Sequence, residues 1–204
     1  MALKRFQSFM TRIASPELVH PDTGRYREWL ASHREWGAGQ HEDGFGLEAE
    51  DSVETVDEFH RWVARLIDDR DTTYRWIVRG PTVIGGIALR HKWNDHVMWA
   101  GHVGFGIRPS KRGHGYASWA LARTVKLAAA LGMERILLVC AADNTASART
   151  IEGQGGELEA IADTPLGAAR RYWIDTGATN STPQRRAPRS YGDPSNAREA
   201  PGCS

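Results

Sequence analysis

The chain has 204 residues, enough for one domain with a sizeable core, and two-fifths of them are hydrophobic. Its 26 Lys and Arg against 25 Asp and Glu leave a formal net charge of +1, which offers no global attraction to nucleic acid or to an anionic membrane. No apolar run approaches the ~20 residues that a helix needs to span a bilayer, and the opening residues hold a Lys4-Arg5 pair without the apolar stretch of a secretory signal.

Residues 1–15 read as an arm or a short helix ahead of a domain over 16–175. A short strand is expected over 16–20. From Thr23 the pattern turns helical, with Tyr26, Trp29, Leu30 and His33 at i, i+3, i+4 and i+7 until Gly37 and Gly39 interrupt it. Residues 40–52 read as a loop, with Ser52 as N-cap of a second helix whose apolar stripe is Val56, Phe59, Val63, Leu66 and Ile67. After Asp71 the period changes. Residues 74–79 and 83–90, around Gly80-Pro81, predict a β-hairpin. A further strand is expected over 97–107, where Gly101, Gly104 and Gly106 suggest a bulge or a close backbone approach to a ligand. A turn then leads to a helix over 116–131, with Ala117, Leu121, Val125 and Ala128 on its buried side and Gly132 beyond its end. The fully apolar run 136–140 suits a central strand. A helix over 144–154 and strands over 157–161 and 171–174 complete the domain. From Thr176 the sequence is Thr, Ser, Pro, Gly, Asn and Arg with almost nothing apolar, and a disordered tail over 176–204 is expected, its Arg185, Arg186 and Arg189 solvated. Cys140 ends an apolar strand and Cys203 lies in that tail, so both read as free thiols of a reducing cytoplasm.

The informative stretch is 105–117, Phe-Gly-Ile-Arg-Pro-Ser-Lys-Arg-Gly-His-Gly-Tyr-Ala. A strand is stopped by Pro109 and a glycine-containing turn runs directly into an amphipathic helix. The first N–H groups of that helix have no partners within it and face outwards at the positive end of its dipole, which makes an anion site. Gly113 and Gly115 let a phosphate come close, and Arg112 adds a fixed positive charge. The ending Gly-Lys-Ser/Thr of the Walker loop is absent, and so is the Gly-x-Gly-x-x-Gly of dinucleotide folds.

Arg112-Gly-His-Gly115-Tyr-Ala117 resembles the Arg/Gln-x-x-Gly-x-Gly/Ala signature of the GNAT acetyltransferases. Downstream, Asp143-Asn144-x-x-Ser147, the run Arg149-Thr-Ile-Glu-x-x-Gly155-Gly156 and the segment Arg171-Tyr-Trp-Ile174 are similar to one bacterial branch of that superfamily, so the resemblance covers about residues 72–175. It implies an α/β (α+β) fold. A mixed, mostly antiparallel sheet is splayed between its fourth and fifth strands and flanked by about four helices. Acetyl-CoA is the implied co-substrate. Main-chain groups of Phe105, Gly106 and Ile107 would pair with pantetheine and polarise the thioester. Arg112, Gly113, His114, Gly115, Tyr116, Ala117 and Ser118 would hold the pyrophosphate, with Asn144 and Ser147 on the opposite side of the cofactor arm.

The implied chemistry is attack of a neutral amine on a thioester. An amine of pKa about 9–10 is mostly protonated near neutrality, so a base or a water relay must take its proton, and the developing oxyanion needs N–H donors. Many members of the family place a tyrosine acid seven residues after the Asn, but that position is Ile151 here. Tyr172 or Tyr116 could replace it, or no acid is used, since CoA thiolate leaves readily. His102 is the candidate base, because it lies on the thioester strand and an unperturbed histidine has a pKa of about 6.5; the other reading is a packed, hydrogen-bonded residue. His91 and Glu152 are weaker candidates. No His or Cys pattern suggests a metal.

Between Glu42 and Asp71 stand eleven Asp or Glu and three Arg, in the region from which the family builds its acceptor site. Either this is a solvated helix face, or Glu42, Asp43, Glu48 and Glu50 on the loop, with Trp36 and other indoles nearby, attract a cationic amine such as an aminoglycoside or a polyamine. Two other readings remain: a protein lysine or N-terminal acetyltransferase, and a module that binds acetyl-CoA without turnover. The expected partners are a small-molecule amine and, at most, a second copy of the chain in a homodimer, with no nucleic acid and no membrane.

Overall fold

The computed structural model describes residues 14–37, 42–165 and 167–178. The arm expected over 1–15 and the tail expected over 176–204, Cys203 included, fall almost wholly outside these residues. Seven strands form one sheet: β1 Glu17–Val19, β2 Thr72–Arg79, β3 Thr82–Arg90, β4 Val103–Ile107, β5 Arg135–Ala141, β6 Glu157–Thr164 and β7 Gly167–Asp175. Their order across the sheet is β1-β2-β3-β4-β5-β7-β6. Every neighbouring pair is antiparallel except β4 and β5. Five α-helices accompany them among the described residues: α1 Tyr26–Trp36, α2 Val56–Asp68, α3 Asp95–Ala100, α4 Tyr116–Ala130 and α5 Thr145–Glu152. None of the described helices is long and apolar enough to cross a membrane.

Strand alternation divides the core in two. Ile77 of β2 joins Ile84, Leu89, Val103, Leu121, Ile136, Leu138, Ile151 and Tyr172 beneath α4 and α5. Its neighbours Trp76 and Val78 point the other way, into a cluster with Trp29, Phe45, Phe59, Trp62 and Val63 beneath α1 and α2. That second core is aromatic: Trp29 packs against Trp62 at 4.6 Å and Trp62 stacks on Trp76 at 5.9 Å between ring centroids.

Three expectations change. Residues 97–100 are helical, because the Asn94 side chain caps α3 by accepting the Val97 N–H at 2.8 Å; the apolar run Val97-Met-Trp-Ala by itself fits either period. The N-cap of α2 is Thr55, which forms a capping box with Glu58, and Ser52 lies ahead of it. Val56 and Ile67 are exposed, and Trp62 takes the core place expected for them.

Candidate active site

Strand β4 keeps five register partners in β3 but only one, Val103 with Leu138, in β5. The two strands therefore diverge toward the C-terminal end of β4. The Arg90 N–H donates to the His102 carbonyl at 2.8 Å and the Arg108 N–H to the Ile84 carbonyl at 2.8 Å, so the even-numbered residues of this stretch bond across to β3. By alternation, the N–H and C=O groups of Phe105 and Ile107 point into the gap beside β5, whereas those of Gly106 face β3. Of the three residues expected to pair with pantetheine, Phe105 and Ile107 have the right direction. The Ile107 carbonyl already accepts the Arg112 Nε–H at 3.0 Å, and this bond folds Arg112 back over the end of the strand.

The gap opens onto the glycine turn. Residues Pro109–Lys111 form one 3-10 turn, after which Gly113 and Gly115 both take φ of 76°. Gly115 is the N-cap of α4 in the left-handed region, with no side chain capping the helix, and a Cβ built at Gly113 or Gly115 would meet nothing within 4 Å. Open space thus lies before the free N–H groups of the first turn, which carries no carboxylate. Ala117 and Ser118 occupy that turn, half-buried, while His114 and Arg112 are exposed. Across the gap, Asn144 caps α5 by accepting the Ser147 N–H at 3.0 Å, which leaves its amide N–H₂ outward. These groups fit a diphosphate ester with an extended amide arm.

Glu35, which the sequence did not single out, holds this turn in place. It accepts from Arg108 Nε at 3.1 Å and Nη2, from Ser110 Oγ at 3.1 Å and from the Ser110 N–H at 3.3 Å. The Arg108 guanidinium pulls its carboxyl down to about 2. The Arg112 guanidinium sits 5.0 Å from the Trp36 ring centroid, a second tie between α1 and the turn.

On the α1–α2 face, the loop after Glu42 lies directly on β4. A Cβ at Gly106 would come 2.6 Å from the Asp43 carbonyl oxygen and 2.8 Å from the Trp36 ring. The glycines of β4 therefore admit this loop, where a close ligand approach was the other option. Glu42 is buried and paired with His33 through one oxygen, the other having no partner among the described residues. Hydrogen bonding to Glu42 raises the His33 pKa. Glu48 and Asp51 both engage Arg65, and Glu54 engages Arg34. Glu50 is exposed and lines a groove with Ser52, Arg61 and Arg65 beside α2. Of the four loop carboxylates expected to face the acceptor, Glu42 and Glu48 are thus engaged by His33 and Arg65, while Glu50 stays exposed. Trp29 and Trp62 are core residues, whereas Trp93 is 53% exposed and lies 5.7 Å from the His102 ring and 6.1 Å from that of Trp173.

His102 closes the vertex of the gap. Its N–H donates to the Leu137 carbonyl at 2.7 Å, and its Nδ1 accepts the Leu137 N–H at 2.9 Å. Its ring is buried, and burial together with the Arg90 charge lowers its pKa to about 4. With Nδ1 occupied, the neutral ring carries its proton on Nε2, so neither nitrogen offers a free lone pair. This is the geometry of a packed, hydrogen-bonded histidine. Tyr172 is buried beneath α5 and donates to Glu152 at 2.9 Å, and burial raises its pKa; it has no path to the gap as an acid. The Tyr116 hydroxyl accepts from Arg79 at 3.0 Å. No group of His, Cys, Asp and Glu among the described residues is arranged to hold a metal.

The model of the acetyltransferase (GNAT) domain family matches residues 5–157. No curated protein matches the chain. Among solved structures, a ribosomal L7/L12 α-N-protein acetyltransferase in complex with coenzyme A aligns with TM-score 0.65 at 17% identity, over 81% of this chain and 96% of that one. The spermidine N-acetyltransferase from Vibrio cholerae in complex with CoA and spermine aligns with TM-score 0.60 at 17% identity, over 80% and 96%. The microcin C7 self-immunity acetyltransferase in complex with acetyl-CoA and AMP aligns with TM-score 0.59 at 16% identity, over 78% and 92%. At such identities these likenesses concern the fold, and the family match carries the chemistry. An open gap between β4 and β5, a glycine turn at the head of α4 and a family model spanning most of the chain agree: the protein belongs to the GNAT acetyltransferase family and is an acetyl-CoA-dependent N-acetyltransferase.

Proposed function

We propose that the protein acetylates the primary amine of a small molecule bound on the α1–α2 face of the sheet, beside Gly104 and the Asp43 loop. The observation that carries this is the continuity of the β4–β5 gap with the uncapped N-terminus of α4 at one end and with the vertex at His102 at the other. Acetyl-CoA supplies an activated acetyl group whose thiolate leaves readily. The turn from Arg112 to Ala117 binds the diphosphate, and Gly115 keeps its backbone accessible. Phe105 and Ile107 orient the amide arm through main-chain bonds. Their N–H groups are the donors available to the oxyanion of the transition state. The His102 bonds fix the vertex, and hence the distance between β4 and β5 at the reacting end. No tyrosine of the described residues stands free at the gap, so departure of the thiolate proceeds without a tyrosine acid, and the amine proton leaves through water.

The acceptor is bounded by Trp36, Asp43, Trp93 and the buried Glu42. Internal pairing of Glu48, Asp51 and Glu54 weakens the case for a polycation, although the Vibrio cholerae neighbour binds spermine. Following free thiol release from acetyl-CoA with a panel of polyamines, aminoglycosides, amino acids and peptide N-termini tests the reading. Turnover is expected with small amines. Turnover confined to peptides would move the acceptor to proteins, and acetyl-CoA binding without any turnover would leave a binding module.

A further inference from the structure

Arg90 ends β3 on the α1–α2 face and reaches over β4. Its Nη1 donates to the Gly101 carbonyl at 3.1 Å. A Cβ built at Gly104 would lie 3.5 Å from the Gly44 nitrogen and 3.8 Å from both Nη1 and Nη2, so the guanidinium adjoins position 104 beside the loop. Gly104 directly precedes Phe105, the first residue whose main chain faces the gap. The cation therefore stands close to the proposed reacting end, where burial and, after it, the Arg90 charge lower the pKa of His102 and of His96.

The pairing of charges around it is uneven. Glu42, Glu48, Asp51, Glu54 and Glu35 are each bound to His33, Arg65, Arg34 or Arg108. Arg90 is half-buried, and burial opposes its charge while Tyr74 and Asp43 nearby favour it; no carboxylate among the described residues forms an ion pair with it. A guanidinium presents five N–H donors in a rigid fork suited to two oxygens of one anion, and the Gly101 bond uses one of them. The acceptor face thus has a half-buried guanidinium at its floor, while Glu42, Glu48, Asp51 and Glu54 are already engaged by His33, Arg65 and Arg34.

We propose that Arg90 is a specificity-determining residue that binds the anionic oxygens of the acceptor, which is a short amine bearing a carboxylate or phosphate group. This rests on the acetyl-transfer reading above and narrows its substrate class. A polyamine or an aminoglycoside would bring a second cation toward Arg90, with like charges in a site of low polarisability.

The test is steady-state thiol release with paired acceptors: α-amino acids against their decarboxylated amines, and phosphoethanolamine against ethanolamine. The wild type is expected to favour the anionic member of at least one pair by tenfold or more in kcat/KM, and the pair shows whether carboxylate or phosphate is read. Arg90→Met is expected to raise KM for that acceptor at least tenfold and to erase the preference, while acetyl-CoA affinity measured by calorimetry stays within twofold. Arg90→Lys, which keeps the charge without the fork, should retain part of the preference even if Arg90→Met folds poorly. A preference for the member without the anionic group, an equal loss for both members in Arg90→Met, or no turnover of any anionic amine by a protein that binds acetyl-CoA normally would overturn the assignment and leave acetyl transfer standing. Failure to bind acetyl-CoA would sink both.

Discussion

His102 exchanges two hydrogen bonds with Leu137, and this decides what its loss should do. His102→Ala leaves the buried Leu137 N–H without an acceptor, a cost of about 1–3 kcal/mol, or a fall in Tm of about 2–12 °C for a domain of this size. Turnover by the folded fraction is expected to drop less than tenfold. The expected kcat/KM profile keeps its acid limb, since that limb then belongs to the amine. A kcat reduced by ~10²–10⁴-fold at unchanged Tm would instead restore His102 as the base. Its pKa of about 4, against about 6.5 when unfolded, also sets a pH dependence. The unfolded chain binds more protons between these values, so this contribution is complete above pH 6.5 and is lost as pH falls toward 4, by about 3 kcal/mol. His33, raised by Glu42, works in the opposite sense: its contribution is complete below pH 6.5 and is lost as pH rises through its folded value. Urea titrations at pH 7 and pH 5 should show the acid loss in the wild type and a shallower one in His102→Asn.

At the scale of elements, the turn between β4 and α4 was the most legible part of the chain. Glycine spacing, the stop at Pro109 and the apolar period of α4 are local signals, and the structure keeps each of them. What the sequence hid was the support of that turn. Glu35 lies 73 residues from Arg108 in the chain, and nothing local marks them as partners. Replacing Glu35 by Gln removes the charged acceptor of four hydrogen bonds and should cost about 1.5–3 kcal/mol, with acetyl-CoA affinity falling because the turn loses its brace. Unchanged stability and affinity in Glu35→Gln would show that Arg108 and Ser110 hold the turn by themselves. Helix α3 differs: its four apolar residues fit either period, and the signal that decides between them is local, the Asn94 N-cap three residues before Val97. The carboxylates of residues 42–71 read as an open acidic surface until their partners Arg65, Arg34 and His33 were placed beside them.

Over the whole molecule, one sheet carries two unlike faces. α4 and α5 cover a mainly aliphatic core on one face, while α1, α2 and the loop on Gly106 enclose an aromatic core on the other, the proposed acceptor side. The gap between β4 and β5 joins the two sides in the proposed reaction, and acetyl-CoA is expected to occupy it. A ligand bound by the folded state alone stabilises it by about 2.7 kcal/mol at one hundred times its Kd, so acetyl-CoA should raise Tm. The most direct measurement is calorimetric titration of acetyl-CoA into the full chain and into Gly115→Asp. A Cβ at Gly115 meets open space, and in the proposed reading that space holds the diphosphate, so an Asp there adds bulk and negative charge at the anion site. Saturable one-to-one binding is expected in the wild type, and at least a hundredfold loss in Gly115→Asp, whose circular dichroism spectrum remains that of a folded protein. Equal affinity in the two proteins, or no binding by the folded wild type, would contradict it.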